Sequence, residues 1–329
     1  MPRVSVLLPV RDAASTLDAC LESLLGQSLR DLEVVAVDDG SRDGSRALLE
    51  DRARRDPRLV VLPTPARGLA AALNTALASA RSPLVARMDA DDVAHEDRLA
   101  LQAERLRADP GVDVLGCRVS LFPEARRGMR AYVGWQNALL DHREIVRDLF
   151  VESPLVHPTA ALRRETLLAL GGWRDFDGPE DYDLWLRAWE AGLRFGKLPE
   201  TLLAWRDSPG RLTRTDPRYA PDRFVALKCA VLARGPLAGR PAVVWGAGPI
   251  GKRFARGLRE RGVAVRAFVE VDPRKVGGKI HGVPVVSVEA GASLRGPLHL
   301  AAVGQPGARE RIRGEAGRLG LGDDLVAVA

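Results

Sequence analysis

Three aspartates fall within four residues at Asp89-Ala90-Asp91-Asp92. Carboxylates crowded in this way repel one another unless a positive charge neutralises them, and a divalent cation does so. Oxygen-only ligation suits hard ions, so Mn²⁺ or Mg²⁺ is the expected cofactor, able to bridge diphosphate oxygens and to stabilise the charge on a departing one. Taken alone, so short a pattern is equally a solvated acidic turn. A second acidic pair, Glu180-Asp181, opens the helical pattern Tyr182-Asp183-Leu184-Trp185. There the carboxylates could simply favour the positive end of the helix dipole, worth about 0.3–1 kcal/mol each. A third motif, Gly246-Ala247-Gly248-Pro249-Ile250-Gly251, is Gly-x-Gly-x-x-Gly set between the strand-like Val243-Val244-Trp245 and a helix. That order lets a pyrophosphate approach a helix N-terminus, and Glu270 and Asp272 follow at the spacing of a ribose-binding acid.

The elements that must position these groups follow from periodicity. Val4–Val10 is a short apolar run ended by proline, and reads as a buried strand. A helix follows, capped by Ser15 or Thr16, with Leu17, Cys20, Leu21, Leu24 and Leu25 on one face. Strands at 32–37, 59–62 and 84–88 alternate with helices at about 45–55 and 69–80. Alternation of this kind predicts a largely parallel sheet covered by helices, with ligands at the carboxyl ends of the strands. Those ends carry Arg11-Asp12, Asp38-Asp39-Gly40-Ser41 and the Asp89–Asp92 cluster, so acidic groups from separate strands should converge on one edge.

From about 112 to 205 the pattern loosens, with strand candidates at 112–119 and 160–162 and helices at 164–170 and 182–191, as in an acceptor-side extension of the same domain. A proline-rich stretch at 207–221 and a helix at about 222–233 lead to a new pattern. It comprises a strand at 242–245, a helix at 250–261, and strands at 263–271, 283–286 and 298–303. The expected organisation is a domain over 1–218, a linker helix within 219–238 and a smaller Rossmann-like α/β domain over 239–329.

Composition narrows the partners. With 46% hydrophobic and 28% charged residues, the chain is that of an ordinary globular protein. The net charge of +6 and pI near 9.6 come from arginines spread along the whole chain, without a basic arm, so nucleic acid is not an expected partner. Cys20, Cys117 and Cys229 are odd in number and lack Cys-x-x-Cys spacing, which excludes a disulfide framework or zinc site and fits a reducing cytoplasm. No cleavable signal pattern or run of about 18 apolar residues is present. The expectation is a cytoplasmic protein without a membrane span, peripheral at most at the inner face of the membrane; the oligomeric state is left open.

Residues 4 to about 206 resemble the family 2 glycosyltransferases, which share the nucleotide-binding GT-A type fold. The resemblance is carried by Val4-Ser5-Val6-Leu7-Leu8-Pro9-Val10-Arg11-Asp12, by Leu24-Leu25-Gly26-Gln27-Ser28, and by Glu33 through Ser45 with its Asp38-Asp39-Gly40-Ser41 core. It continues through Arg67-Gly68-Leu69-Ala70-Ala71-Ala72-Leu73-Asn74 and Arg87-Met88-Asp89-Ala90-Asp91-Asp92. It implies that Pro9 and Asp39 contact the nucleobase with Asp12, Asp38 and Arg67 nearby, that Asp89 and Asp91 serve the ribose and diphosphate, and that Asp91 and Asp92 hold the metal. It further implies Asp181 as the base that deprotonates an acceptor hydroxyl, with Glu180 beside it, because a hydroxyl is a poor nucleophile until its proton is removed. His157 could touch the sugar or diphosphate or be a core histidine, and Arg206 could neutralise the leaving diphosphate. The processive Gln-x-x-Arg-Trp motif is absent, which favours transfer of single sugars.

The expected activity is therefore inverting, metal-dependent transfer of a sugar from a nucleotide-diphosphate donor to a hydroxyl of a saccharide, lipid-linked or protein-linked acceptor, as in polysaccharide or glycan biosynthesis. Two alternatives are a nucleotidyltransferase, disfavoured because Pro9-Val10-Arg11-Asp12-Ala13-Ala14 is not a glycine-rich loop, and a non-catalytic nucleotide-sugar or dinucleotide-binding protein. The Rossmann-like domain resembles small modules attached to sugar-modifying enzymes. Gly246, Gly248, Gly251, Glu270 and Asp272 would form its nucleotide or dinucleotide site, unless only the fold is kept.

Overall fold

A computed structural model describes residues 2–123 and 126–329, which form two compact units. The first is built from residues up to Ile145 together with Pro154–Phe176 and Glu180–Thr215; the second from Val146–Ser153, Asp177–Pro179 and Asp216–Ala329. The helix Pro221–Arg234, read from sequence as a linker, falls within the second unit.

The first unit holds eight strands: β1 (Val4–Val10), β2 (Leu32–Asp39), β3 (Leu59–Thr64), β4 (Leu84–Arg87), β5 (Val93–Ala94), β6 (Val114–Phe122), β7 (Ala161–Arg163) and β8 (Phe195–Arg206). Their order across the sheet is β3-β2-β1-β4-β7-β6-β8-β5. β3, β2, β1 and β4 run parallel, as the alternating pattern predicts. Beyond β4 the sheet is mixed, because β7 is antiparallel to both β4 and β6, and β5 is antiparallel to β8. The expectation of a largely parallel sheet thus holds only for the half formed by β3, β2, β1 and β4.

Every residue of β1 and β2 is buried, as strands covered on both faces must be. Val4, Val6, Leu8 and Val10 alternate onto one face, against Leu17, Cys20, Leu21 and Leu24 of the helix Leu17–Leu25. Pro9 sits inside β1, opposite Val37, although proline lacks a ladder donor. It costs no bond here. The Leu7 carbonyl accepts from Met88 N–H on the β4 side, and Pro9, two residues on, faces that side after β4 has ended at Arg87.

Between 94 and 206 the structure contains elements not read from the sequence, one of them before the pattern loosens at about 112. The helix Arg98–Ala108 buries Arg98, Leu99, Gln102, Ala103 and Leu106, and the two polar members of that face hide its periodicity. The helix Arg127–Ala138 includes two glycines and fully buries only Val133 and Gln136, with Met129 and Tyr132 partly buried against the core, so its apolar stripe is short. β8 is the longest strand among the described residues despite Pro199, because its register with β6 shifts between the Cys117–Leu198 and Arg118–Thr201 pairs. Pro199 and Glu200 form the bulge, where no ladder donor is needed.

The second unit carries β9 (Ala242–Trp245), β10 (Val265–Val269), β11 (Lys279–Ile280), β12 (Val283–Val286), β13 (Leu298–Ala301) and β14 (Leu325–Ala327), ordered β11-β12-β10-β9-β13-β14. Apart from the antiparallel β11 all pairings are parallel, and the remaining strands run third, second, first, fourth, fifth, the order of a doubly wound sheet. The smaller α/β domain expected from the sequence is present.

Its glycines explain the turn after β9. Gly246 has φ +105°, and a Cβ there would lie 2.5 Å from Val303 Cγ2. A Cβ on Gly251 would lie 1.9 Å from the Gly246 carbonyl oxygen, so the helix Pro249–Arg259 packs on the turn only if residue 251 has no side chain. At Gly248 nothing lies within 4 Å of such a Cβ. Gly251→Ala is therefore expected to destabilise the protein by at least about 2 kcal/mol. Gly248→Ala should stay within about 0.5 kcal/mol of wild type. Denaturant unfolding of the two variants checks both values, and equal midpoints would contradict the packing argument.

Candidate active site

The acidic loop follows β4 and is fixed through its backbone. Cys20 Sγ–H donates to the Asp89 carbonyl at 3.3 Å, the Thr16 hydroxyl to the Ala90 carbonyl at 3.1 Å, and Arg206 Nε–H to the Asp91 carbonyl at 2.7 Å. Gln27, fully buried, donates to the carbonyls of Ser23 and His95 and accepts from Leu99 N–H, so it anchors the chain leaving the loop. Buried Arg98 donates to the Arg87 carbonyl at 2.7 Å and steadies the strand end.

The donor oxygens of Asp89, Asp91 and Asp92 lie within 4.8 Å of each other. Burial, with Asp89 adding repulsion, pushes Asp91 up to about 6, against a partial offset from Arg211. Asp92 is 1% exposed, and burial followed by the charges of Asp89 and Asp91 raises it well above the usual carboxylate range. Asp92 Oδ1 accepts from Arg206 N–H at 2.7 Å, whereas Oδ2 is enclosed and has no hydrogen-bond partner. A buried orphan oxygen beside two further carboxylates is the donor set a hard divalent cation requires. Asp91 and Asp92 would hold such an ion.

Asp89 is engaged from the other side. Its Oδ1 lies 2.5 Å from Nη1 of Arg87, a buried guanidinium that also feels Asp92 and Glu180. The sequence carries a signal for Arg87: a cation closing a buried strand directly before the acidic cluster. Arg87→Met leaves these carboxylates without their internal counter-charge and is expected to cost about 3–5 kcal/mol in metal-free protein. Excess Mn²⁺ should recover part of that loss in thermal melts. A variant as stable as wild type without metal would contradict the role.

The residues expected to meet the nucleotide form a second group at the ends of β1 and β2. Both Asp39 oxygens accept backbone N–H groups, from Arg67 at 2.7 Å and Gly68 at 2.9 Å, and Arg11 Nη1 approaches to 3.4 Å. Asp39 therefore fixes the entry to the helix Leu69–Ser79, where Gly68 takes φ +91°. Asp38 Oδ1 accepts from Ser41 N–H and shapes the turn. Asp12, with φ +48°, accepts from Arg42 N–H and joins the first loop to the second. The Arg67 side chain is exposed, and Pro9 is buried within β1.

The residues expected to act on the acceptor sit at the start of the helix Glu180–Glu190. Glu180 is 3% exposed, with its Oε1 3.6 Å from His157 Nδ1. His157 Nε2 accepts from Trp173 Nε1–H at 2.8 Å, which leaves the ring proton on Nδ1, toward Glu180. Burial, and then the nearby Arg87, lower the His157 pKa well below 6.5, so it stays neutral. These contacts place His157 in the core that supports Glu180. Asp181 is only half-buried and its Oδ1 accepts from Tyr182 N–H at 2.7 Å, making it the more accessible carboxylate of the pair. Asp183 is tied to Arg187 at 2.7 Å and supports the helix.

Arg206 binds the acidic loop and lies 4.4 Å over the Phe122 ring, so its observed contacts hold the loop. A cation the sequence did not single out, Arg211, stacks 3.9 Å over Trp205, and its charge reaches Asp91. In the second unit, Glu270 closes β10 and accepts from Val271 N–H and Lys275 Nζ at 3.0 and 3.2 Å, while Asp272 pairs with Arg274. Gly246, Gly248 and Gly251 line the β9 turn described above.

Comparison with known proteins fits this geometry. The family model for glycosyl transferase family 2 matches residues 5–171. The chain is 30% identical over 241 residues to the glycosyltransferase EpsJ of Bacillus subtilis, covering 68% of this chain and 67% of EpsJ. Among solved structures, residues 1–349 of S. aureus TarS in complex with UDP-GlcNAc superpose with a TM-score of 0.58 at 19% identity, over 79% of this chain and 71% of that 1–349 chain. The mannosyltransferase PcManGT of Pyrobaculum calidifontis, in complex with GDP-Man and Mn²⁺, gives 0.54 at 24% identity, over 80% of this chain and 70% of that one. Half the chain matches the family model, and the fold of its enzymes recurs here: the chain belongs to glycosyl transferase family 2 and is a glycosyltransferase.

Proposed function

We propose that the chain transfers single sugars, with inversion and with a divalent metal, from a nucleoside diphosphate donor to a hydroxyl of a saccharide, lipid-linked or protein-linked acceptor. The observation that carries this is the convergence of Asp89, Asp91 and Asp92, with the Asp92 Oδ2 orphaned and the Asp91 carboxyl pushed up to about 6. Mn²⁺ or Mg²⁺ held by Asp91 and Asp92 would offset the charge of the donor diphosphate as it leaves. The structural neighbours named above were solved with UDP-GlcNAc and with GDP-Man, which supports a nucleotide-sugar donor.

The protein's own residues do the rest. Asp39 and Asp38 shape the strand-end loops on which the base and ribose would rest, with Arg67, Asp12 and Pro9 at that end. Asp89, paired with Arg87, would serve the ribose and diphosphate. Asp181 accepts the acceptor hydroxyl's proton as the oxygen attacks the anomeric carbon, and the diphosphate departs from the opposite face. Glu180, His157 and Trp173 fix the start of the helix that bears Asp181. No covalent intermediate is required, so configuration inverts.

The test is hydrolysis of α-linked UDP-GlcNAc and GDP-mannose, followed by proton NMR before mutarotation. A β-configured sugar as first product supports the mechanism, and an α-configured one overturns it.

For the second unit we propose a nucleotide or dinucleotide site at the β9 turn. The open space at Gly248, beside the closely packed Gly246 and Gly251, favours it over a purely structural module. Thermal stabilisation by NAD, NADP or UDP that Gly248→Asp abolishes is the expected result. Equal melts in all conditions would leave the fold alone.

A further inference from the structure

A cavity of about 750 Å³ opens in the first unit at the edge of the sheet opposite the aspartates. Its position follows from the strands. Arg3 precedes β1, Ser82 and Pro83 precede β4, and Arg163 ends the antiparallel β7, so all lie where the parallel strands begin. The volume is in the range of small-molecule sites, roughly 300–1,000 Å³.

Five arginines line it, and two are already committed. Arg81 pairs with Glu33 at 2.6 Å, and Arg163 donates to the carbonyls of Val112 and Leu106 at 2.9 and 2.8 Å. Among the described residues, Arg3, Arg107 and Arg164 have no ion-pair partner, and only Glu165 adds a carboxylate to the lining. The Ser82 hydroxyl and the Arg164 Nε are enclosed and have no hydrogen-bond partner. The floor between them is apolar, from Pro83, Leu84 and Leu106.

We propose that this cavity binds a phosphate-bearing amphiphile. The guanidinium groups of Arg3, Arg107 and Arg164 take the phosphate oxygens, for which their planar forks are matched, and the apolar floor takes the attached hydrocarbon. Inorganic phosphate satisfies only half of such a site. The ligand lies away from the reacting groups, so it tethers or modulates the enzyme and takes no part in transfer. Its source is either a soluble organic phosphate or the headgroup region of a phosphorylated lipid at a membrane surface.

The experiment compares wild type with Arg3→Gln/Arg107→Gln/Arg164→Gln and, as a milder change at an exposed position, Arg107→Gln alone. Each is titrated with short-chain dioctanoyl phosphatidic acid below its micelle concentration, with inorganic phosphate, and with vesicles of phosphatidylcholine with or without phosphatidic acid. Because the donor site also takes phosphate, the difference between wild type and variant isolates the cavity. The proposal expects phosphatidic acid to bind at least about tenfold more weakly to the triple variant, with an intermediate loss for Arg107→Gln and unchanged sugar transfer. Binding of the dispersed lipid assigns a soluble ligand, and binding only of phosphatidic acid vesicles assigns the membrane surface; either supports the site. Equal affinities of wild type and both variants in every arm, or loss of inorganic phosphate binding alone, would overturn it.

Discussion

Replacing Asp181 with asparagine lowers turnover by about 10²–10⁴-fold while the affinity for the nucleotide-sugar stays within about twofold of wild type. Asparagine keeps the Oδ1 that accepts from Tyr182 N–H, so the start of the helix Glu180–Glu190 is preserved and only basicity is lost. In the proposed assignment the donor would rest at the ends of β1, β2 and β4 and not on this helix, so binding should survive. Glu180→Gln should behave differently. Glu180 is buried beside His157 and among the charges acting on Arg87, so its neutralisation perturbs stability as well as rate. Steady-state kinetics paired with donor titration separates the two variants. Turnover unchanged in Asp181→Asn would remove Asp181 as the base.

The second large effect is at the proposed metal site, where activity and stability move in opposite directions. Asp91→Asn should lower kcat/KM by about 10²-fold or more and abolish stimulation by Mn²⁺, because it would delete a proposed ligand. In metal-free protein at pH 7 the same change should raise the melting temperature by about 2–5 °C. The sign follows from linkage. The Asp91 carboxyl is raised in the folded state from the ordinary 3.8 to about 6, chiefly by burial and then by Asp89. The stabilisation conferred by its proton is full below pH 3.8 and is lost as the pH rises through about 6. Above that pH the folded protein holds an unfavourable charge that asparagine lacks, so the gain should be large at pH 7 and vanish near pH 4. Melts over that interval check the sign; a loss of stability at pH 7 would contradict the repulsion described here.

Sequence patterns revealed local features and concealed relations set by distant pairing. β1 and β2 are continuous apolar runs, and the acids at their ends are visible in sequence because parallel strands present their carboxyl ends to one edge. The direction of β7, the bulge at Pro199 and the edge strand Val93–Ala94 depend on partners more than 40 residues away, and no local periodicity encodes them. In the site the same division holds. The aspartates stood out as a cluster, and the Glu180-Asp181 pair by resemblance. Arg87 as counter-ion, Trp173 as the partner of His157, and Arg211 over Trp205 became visible only once the chain was folded. Asp39 was expected at the nucleobase, and what the structure adds is its hold on the Arg67-Gly68 backbone.

Titration of UDP-GlcNAc and GDP-mannose into wild type and Asp91→Asn, each with and without Mn²⁺, bears most directly on the proposed metal-assisted donor site. The expected result is that one donor binds wild type at least about tenfold more tightly when Mn²⁺ is present, and that Asp91→Asn shows no such gain. Donor binding of equal strength with and without metal in wild type would contradict the assignment of Asp89, Asp91 and Asp92 to a cation on the diphosphate.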